Sequence, residues 1–193
     1  MTTSDLAAAV RPVAEALQAL GVPFYLTGSV ASSAHGIARA SLDADIVADL
    51  REEHVQPLVD RLASAYYIPM DGLHDAVRRR ASCNLIHLDT AFKVDLFMSR
   101  RRPFDRQALS RARADAIDSV PGAPRIPIAS AEDTILAKLE WFRRGGETSE
   151  RQWWDIVGVL RVSAGADRAY LRRWALELGV SDLLERALVD AGD

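Results

Sequence analysis

Apolar positions in the first twenty residues recur every three to four places, at Leu6, Val10, Val13, Leu17 and Leu20, before Gly21 and Pro23 close the run. That period puts all five on one side of a helix over 4 to 20. The pattern then shortens. "PFYLTG" (23 to 28) predicts a strand entering a helix over 29 to 36 that Gly36 ends, and "DADIVADL" predicts a second strand. Residues 52 to 64 have helical spacing, and "DAVRRRA" is a helix end or a loop. Two more extended runs, "CNLIHLD" (83 to 89) and "FKVDLFM" (92 to 98), flank Thr90 and Ala91 as a tight antiparallel turn, which makes four strands.

Beyond Arg102 and Pro103 the pattern is mainly helical. "IDSV" and "RIPIA" are short edge strands, because Pro121, Pro124 and Pro127 punctuate them. Ser130 with Asp133 forms a capping box ahead of a stripe of Ile135, Leu139 and Phe142, and Gly145–Gly146 ends that helix. Ser149 with Gln152 opens the next, and two further helices occupy 167 to 178 and 181 to 191. Trp141, Trp153, Trp154 and Trp174 serve as packing for this helical lobe. Strands first and a helix run last predict an α+β chain, divided into a mixed core over 1–128 and a C-terminal helical lobe over 129–193.

With 193 residues, 49% of them hydrophobic, the chain closes one good core and a small lobe. Its first residues, "MTTSDLAAAV", lack the basic start and apolar run of a signal peptide, and no window approaches the roughly 18 apolar residues of a membrane span. The expected location is the cytoplasm, with no membrane partner. The single cysteine, Cys83, excludes an internal disulfide and predicts a small buried hydrophobe. His35, His54, His74 and His87 show no metal spacing.

A net charge of -3 does not announce a nucleic-acid binder, but the arginines cluster at 78–80 and 100–102, followed by Arg106, Arg111 and Arg113. They either hold phosphate backbones through guanidinium forks or form solvated helix faces. Of 24 basic residues only Lys93 and Lys138 are lysine, so each needs a reason.

Residues i and i+2 of a strand share a face, which projects Asp43 and Asp45 together about 6 to 7 Å apart, with Leu42, Ala44 and Ile46 on the core side. Two such carboxylates repel unless a cation sits between them, and a hard oxygen-seeking dication such as Mg2+ resolves the conflict. Asp95 in "FKVDLF" supplies a third acid if its strand is adjacent. Three carboxylates on one sheet edge suit a two-metal nucleotidyl transfer, one ion lowering the acceptor hydroxyl's pKa and the other neutralising the leaving pyrophosphate. Asp95 would also help deprotonate that hydroxyl. Upstream, Gly28 lets backbone approach a phosphate, and Ser29 with the amides opening the next helix donates to a triphosphate.

"LTGSVASSAHGIARASLDADIVADL" resembles the nucleotide-binding signature of the DNA polymerase beta-like nucleotidyltransferase superfamily: an apolar residue, Gly, Gly or Ser, a spacer, then Asp-x-Asp. It is similar to the small bacterial AbiE-type toxin nucleotidyltransferases, whose glycine, arginine and hydroxyl residue before the acids are matched by Gly36, Arg39 and Ser41. Their later motifs are matched by Asp95, by Lys138 in "EDTILAKLEW" and by Asp155 in "RQWWDIVGVL".

The resemblance covers roughly 20 to 160 and implies a nucleotidyltransferase fold, a short mixed sheet flanked by helices. It further implies that Gly28 and Ser29 hold the triphosphate, that Asp43, Asp45 and Asp95 hold two Mg2+ ions, and that Lys138 reaches phosphate or base with Asp155 orienting it. Arg39 and Ser41 join the nucleotide site, although Arg39 serves equally to neutralise the acids. The implied reaction moves a nucleoside monophosphate from an NTP, ATP among them, to a hydroxyl on tRNA or another RNA, a protein or a small molecule such as an antibiotic. An antitoxin protein is an implied partner. Two alternatives stay open: a metal-dependent glycosyltransferase using a nucleotide sugar through Asp-x-Asp, and a nucleotide-binding module without catalysis.

Overall fold

The computed structural model describes residues 3–36, 41, 43–117 and 125–192. The chain opens with α1 (Thr3–Ala19), β1 (Phe24–Thr27), α2 (Gly28–Ala34) and β2 (Asp43–Ala48). It continues through α3 (Glu52–Leu62), β3 (Tyr66–Tyr67), α4 (Met70–Arg79), β4 (Ser82–His87) and β5 (Lys93–Met98). After α5 (Pro103–Arg111), β6 (Arg113–Ala116) and β7 (Arg125–Ile128) come four helices, α6 (Ala131–Arg144), α7 (Glu150–Val162), α8 (Arg168–Leu178) and α9 (Ser181–Ala191).

The strands form one mixed sheet in the order β3-β4-β5-β2-β1-β7-β6. Its centre is set by β2, antiparallel to β1 and parallel to β5. Seven strands replace the six expected, four in the sheet and two short edge strands. The addition is β3, two residues long at one edge, and "RIPIA", expected at an edge, forms β7 between β1 and β6. The edge strand expected at "IDSV" lies upstream, at Arg113–Ala116, and residues 118–120 are outside those described. Strands this short carry too few alternations to declare themselves in sequence.

"DAVRRRA" ends a full helix, α4, whose buried face is Leu73, Ala76 and Val77 and whose cap, Arg80, takes a left-handed conformation (φ 54°). The β4–β5 connection is longer than a two-residue turn: the His87 amide donates to the Phe92 carbonyl (2.9 Å), and the link between the strands spans 88 to 92.

One face of the sheet packs on α1, α3 and α4 through Val10, Val13, Leu17, Leu58 and Leu73 against Ile46, Leu85 and Leu96, all fully buried. A second cluster joins α6 to α9 and takes in Phe104 of α5. There Trp153 packs on Phe142 and Trp174 on Phe104, with ring centroids 5.3 and 5.6 Å apart. The other two tryptophans correct the packing expectation, Trp141 being 49% and Trp154 56% exposed. Trp154 follows Trp153 directly, and one residue turns a helix by about 100°, from the core to the solvent. Cys83 is buried, as a small strand hydrophobe should be.

Candidate active site

Along β2 and β5 every second residue is sealed: Ala44, Ile46 and Ala48, with Val94, Leu96 and Met98, are at most 3% exposed. The alternate residues look the other way. Parallel pairing puts Asp43 opposite Lys93 and Asp45 opposite Asp95, so the three acids and one lysine share a face on neighbouring strands. Leu42 lies outside the described residues.

The turn that closes on this face leaves no room for a side chain. Thr27, the last residue of β1, is opposite Asp45, and Gly28 follows with φ +64°. A Cβ there would lie 1.8 Å from Asp45 Oδ2. Glycine is thus required twice over, for the left-handed backbone and for the contact with the carboxylate. Ser29 and Ser41 hydroxyls lie 2.6 Å apart, and Ser41 Oγ donates to the Asp43 carbonyl at 2.7 Å, tying the loop before β2 to the start of α2. Arg39, expected beside them, is outside the described residues.

Burial, then the neighbouring Asp43 and Asp95, pushes the Asp45 carboxyl up to about 6, with Lys138 and Lys93 opposing the shift. Asp95 Oδ1 is buried without a hydrogen-bond partner. Both features are those of oxygens built to meet a cation or a proton, and a set of hard carboxylate donors fits Mg2+. Among the described residues, however, no three acidic, histidine or cysteine side chains are drawn into a ready-made cage. Lys93 stands between two of the acids, its Nζ 2.8 Å from Asp95 Oδ2 and 3.5 Å from Asp43 Oδ2. Its hydrogen bond to Asp95 raises its own pKa. Sequence reasoning assigned Lys93 no role. The signals were the scarcity of lysine and its position two residues before Asp95 on one strand.

The opposite wall is α6 with α7. Lys138 Nζ donates to Asp155 Oδ2 at 2.5 Å, both side chains largely buried, which joins the two helices beside the carboxylates. Between this wall and the sheet runs a cleft of about 1090 Å3, lined from Gly28, Asp43 and Asp45 to Phe97, Trp141 and Arg151. Trp141 meets Phe97 edge-on at 5.7 Å, and the Arg144 guanidinium lies 5.6 Å from its ring centre. Next to it Arg100, Arg102 and Arg144 all pair with Glu140. Arg102 also forks onto Asp105.

The arginine clusters of the sequence therefore separate by role. Arg80 and Arg101 are held by Asp49, Arg102 by Asp105 and Glu140, and Arg111 by Glu132 and Asp133, whereas Arg78 and Arg79 share Asp75 on their own helix and stay 63% and 74% exposed.

A family model described as nucleotidyl transferase AbiEii toxin, Type IV TA system, matches residues 13–183. No curated protein matches the chain. Among solved structures, an antigenic nucleotidyltransferase-like protein from Paracoccidioides brasiliensis is 17% identical with a TM-score of 0.59, over 97% of this chain and 94% of that one. ANT(2″)-Ia in complex with adenylyl-2″-tobramycin is 11% identical with a TM-score of 0.60, over 90% of this chain and 97% of that one. At these identities the likeness is one of fold. No helix among the described residues is long and apolar enough to cross a membrane.

Proposed function

The chain belongs to the AbiEii nucleotidyltransferase toxin family, and from that premise we propose that it moves a nucleoside monophosphate from an NTP, ATP among them, to the hydroxyl of an RNA acceptor. The observation that carries this reading is the parallel register that puts Asp45 beside Asp95 on the face where Gly28 closes on Asp45.

In this mechanism the Gly28 backbone and the Ser29 hydroxyl, steadied by Ser41, cradle the triphosphate. Asp43, Asp45 and Asp95 would hold Mg2+, which when bound adds the positive charge that acidifies the acceptor hydroxyl and neutralises the leaving pyrophosphate. Lys138, oriented by Asp155, reaches the phosphates. The acceptor oxygen bonds to the α-phosphorus, the bond to the pyrophosphate oxygen breaks, and the hydroxyl proton passes to Asp95. The protein aims its charges before the reaction begins, which is where most of the rate arises.

In-line attack needs the acceptor opposite the pyrophosphate, and this reading seats it at the Phe97 and Trp141 end of the cleft. Arg151 and an exposed indole, with Arg100 and Arg144 shared with Glu140, suit a phosphate-bearing, base-bearing end such as that of tRNA. A protein hydroxyl or an antibiotic remains the comparison acceptor. A toxin role with an antitoxin partner follows the family description, and the cytoplasm is the location this reading expects.

Each labelled NTP, incubated with Mg2+, protein and total RNA, should label RNA, and Asp45→Ala should abolish the label. Label from a nucleotide sugar but none from any NTP would establish the glycosyltransferase alternative instead. Nucleotide binding with no transfer to RNA, protein or small hydroxyl compounds would establish the non-catalytic module.

A further inference from the structure

Lys93 is fixed by the sheet where the chemistry takes place. Its Cα faces Asp43 across the parallel β2–β5 pair and lies two residues before Asp95 on the same face, so its ammonium reaches both carboxylates at once. We propose that Lys93 is a resident cation that holds the ground between Asp43 and Asp95, so that the acidic triad takes one divalent ion instead of two. The inference rests on the nucleotidyltransferase reading and amends its metal count.

Space supports it first. The ammonium lies 2.8 Å from Asp95 Oδ2 and 3.5 Å from Asp43 Oδ2, so it occupies the space that a second cation shared by these two carboxylates would need.

Residue type supports it next. Lysine is one of two in a chain with 24 basic residues, and a compact ammonium on a flexible stem fits between two carboxylates where a planar guanidinium fork does not. The lysine also divides the labour of Asp95: Oδ2 accepts from Lys93, while the buried Oδ1 has no partner. The remaining dication falls to the Asp43–Asp45 side, next to the Gly28 turn that receives the triphosphate.

The test counts metal without turnover. Mn2+ is titrated by electron paramagnetic resonance against the full chain saturated with the α,β-methylene analogue of ATP, in the wild type, Lys93→Met and Lys93→Gln, each checked for folding by circular dichroism. The expected result is one Mn2+ per wild-type site and two in both variants. It also includes a lower melting temperature for the metal-free variants, regained when Mn2+ is added. Two Mn2+ in the wild type, or one in all three proteins, overturns the resident-cation role while leaving nucleotidyl transfer intact. If the wild type binds neither analogue nor Mn2+, this role and the enzymatic reading fall together. A lysine of purely structural value would lower the melting temperature and leave the count unchanged.

Discussion

The two faces of β2 and β5 are made of the same backbone and are opposite in kind. On one, Ala44, Ile46, Ala48, Val94, Leu96 and Met98 meet helices α1, α3 and α4 in a sealed apolar layer. On the other, burial and then the nearby Asp43 and Asp95 raise the Asp45 pKa, beside a glycine pressed against the carboxylate. The apolar face stabilises the fold by leaving water. The acidic face costs stability, because burial and like charges raise the Asp45 carboxyl further than Lys138 and Lys93 lower it. A single residue step separates the two, so the stiffness of the first face holds the geometry of the second.

Breaking the acidic face should be the largest effect on chemistry and the smallest on folding. For Asp45→Ala, label transfer to RNA should fall by about 10^3-fold or more, with a melting temperature equal to or above that of the wild type. The mirror experiment is Leu96→Ala on the sealed face, one step from Asp95. Urea unfolding should show a loss of about 3 kcal/mol, and the protein that remains folded should bind NTP with unchanged affinity. If Leu96→Ala abolished NTP binding at full folding, the separation of the faces would be wrong.

Gly28→Ala tests the seam between them. A Cβ 1.8 Å from Asp45 Oδ2 must displace that carboxylate, and φ +64° adds about 1 kcal/mol of backbone strain. Transfer should drop about 10^2-fold, and a crystal structure should show Asp45 in another rotamer.

The finest test is the pH dependence of the metal-free protein. The folded-state pKa of Asp45, about 6, lies above its ordinary 3.8, so the folded chain binds this proton more tightly than the unfolded one. The Asp45 contribution to stability is complete below pH 3.8, is lost as pH rises to about 6, and is flat above that. Asp45→Asn should therefore stabilise the metal-free protein by about 2 kcal/mol at pH 8 and leave it unchanged at pH 3.5. Thermal melts at the two pH values check the sign, and a stabilisation that is largest in acid would refute it.

Most helices were legible because their signals are local. The stripes of α1, α6 and α7 and the Ser130 and Ser149 caps lie within a few residues of one another, and each serine accepts the amide three residues on, the first half of the expected box. The alternation of "DADIVA" and "KVDLFM" likewise announced which side chains share a face. Trp141 was misread because helical spacing says that a residue lies on a stripe, not that another element covers it. It faces the cleft, beside Phe97. Lys93 was passed over because its meaning depends on which strand lies next to β5.

By itself the amino-acid order determined the periods, the turns, the glycine before Ser29 and the spacing of Asp43 and Asp45, since each follows from backbone geometry within a few residues. Only the tertiary structure decided that β2 runs parallel to β5, that Asp45 therefore meets Asp95 and Asp43 meets Lys93, and that α6 brings Lys138 to the same place. Those pairings join residues distant along the chain. They are selected by burying the apolar face of the whole sheet at once, a condition that no short stretch of sequence contains.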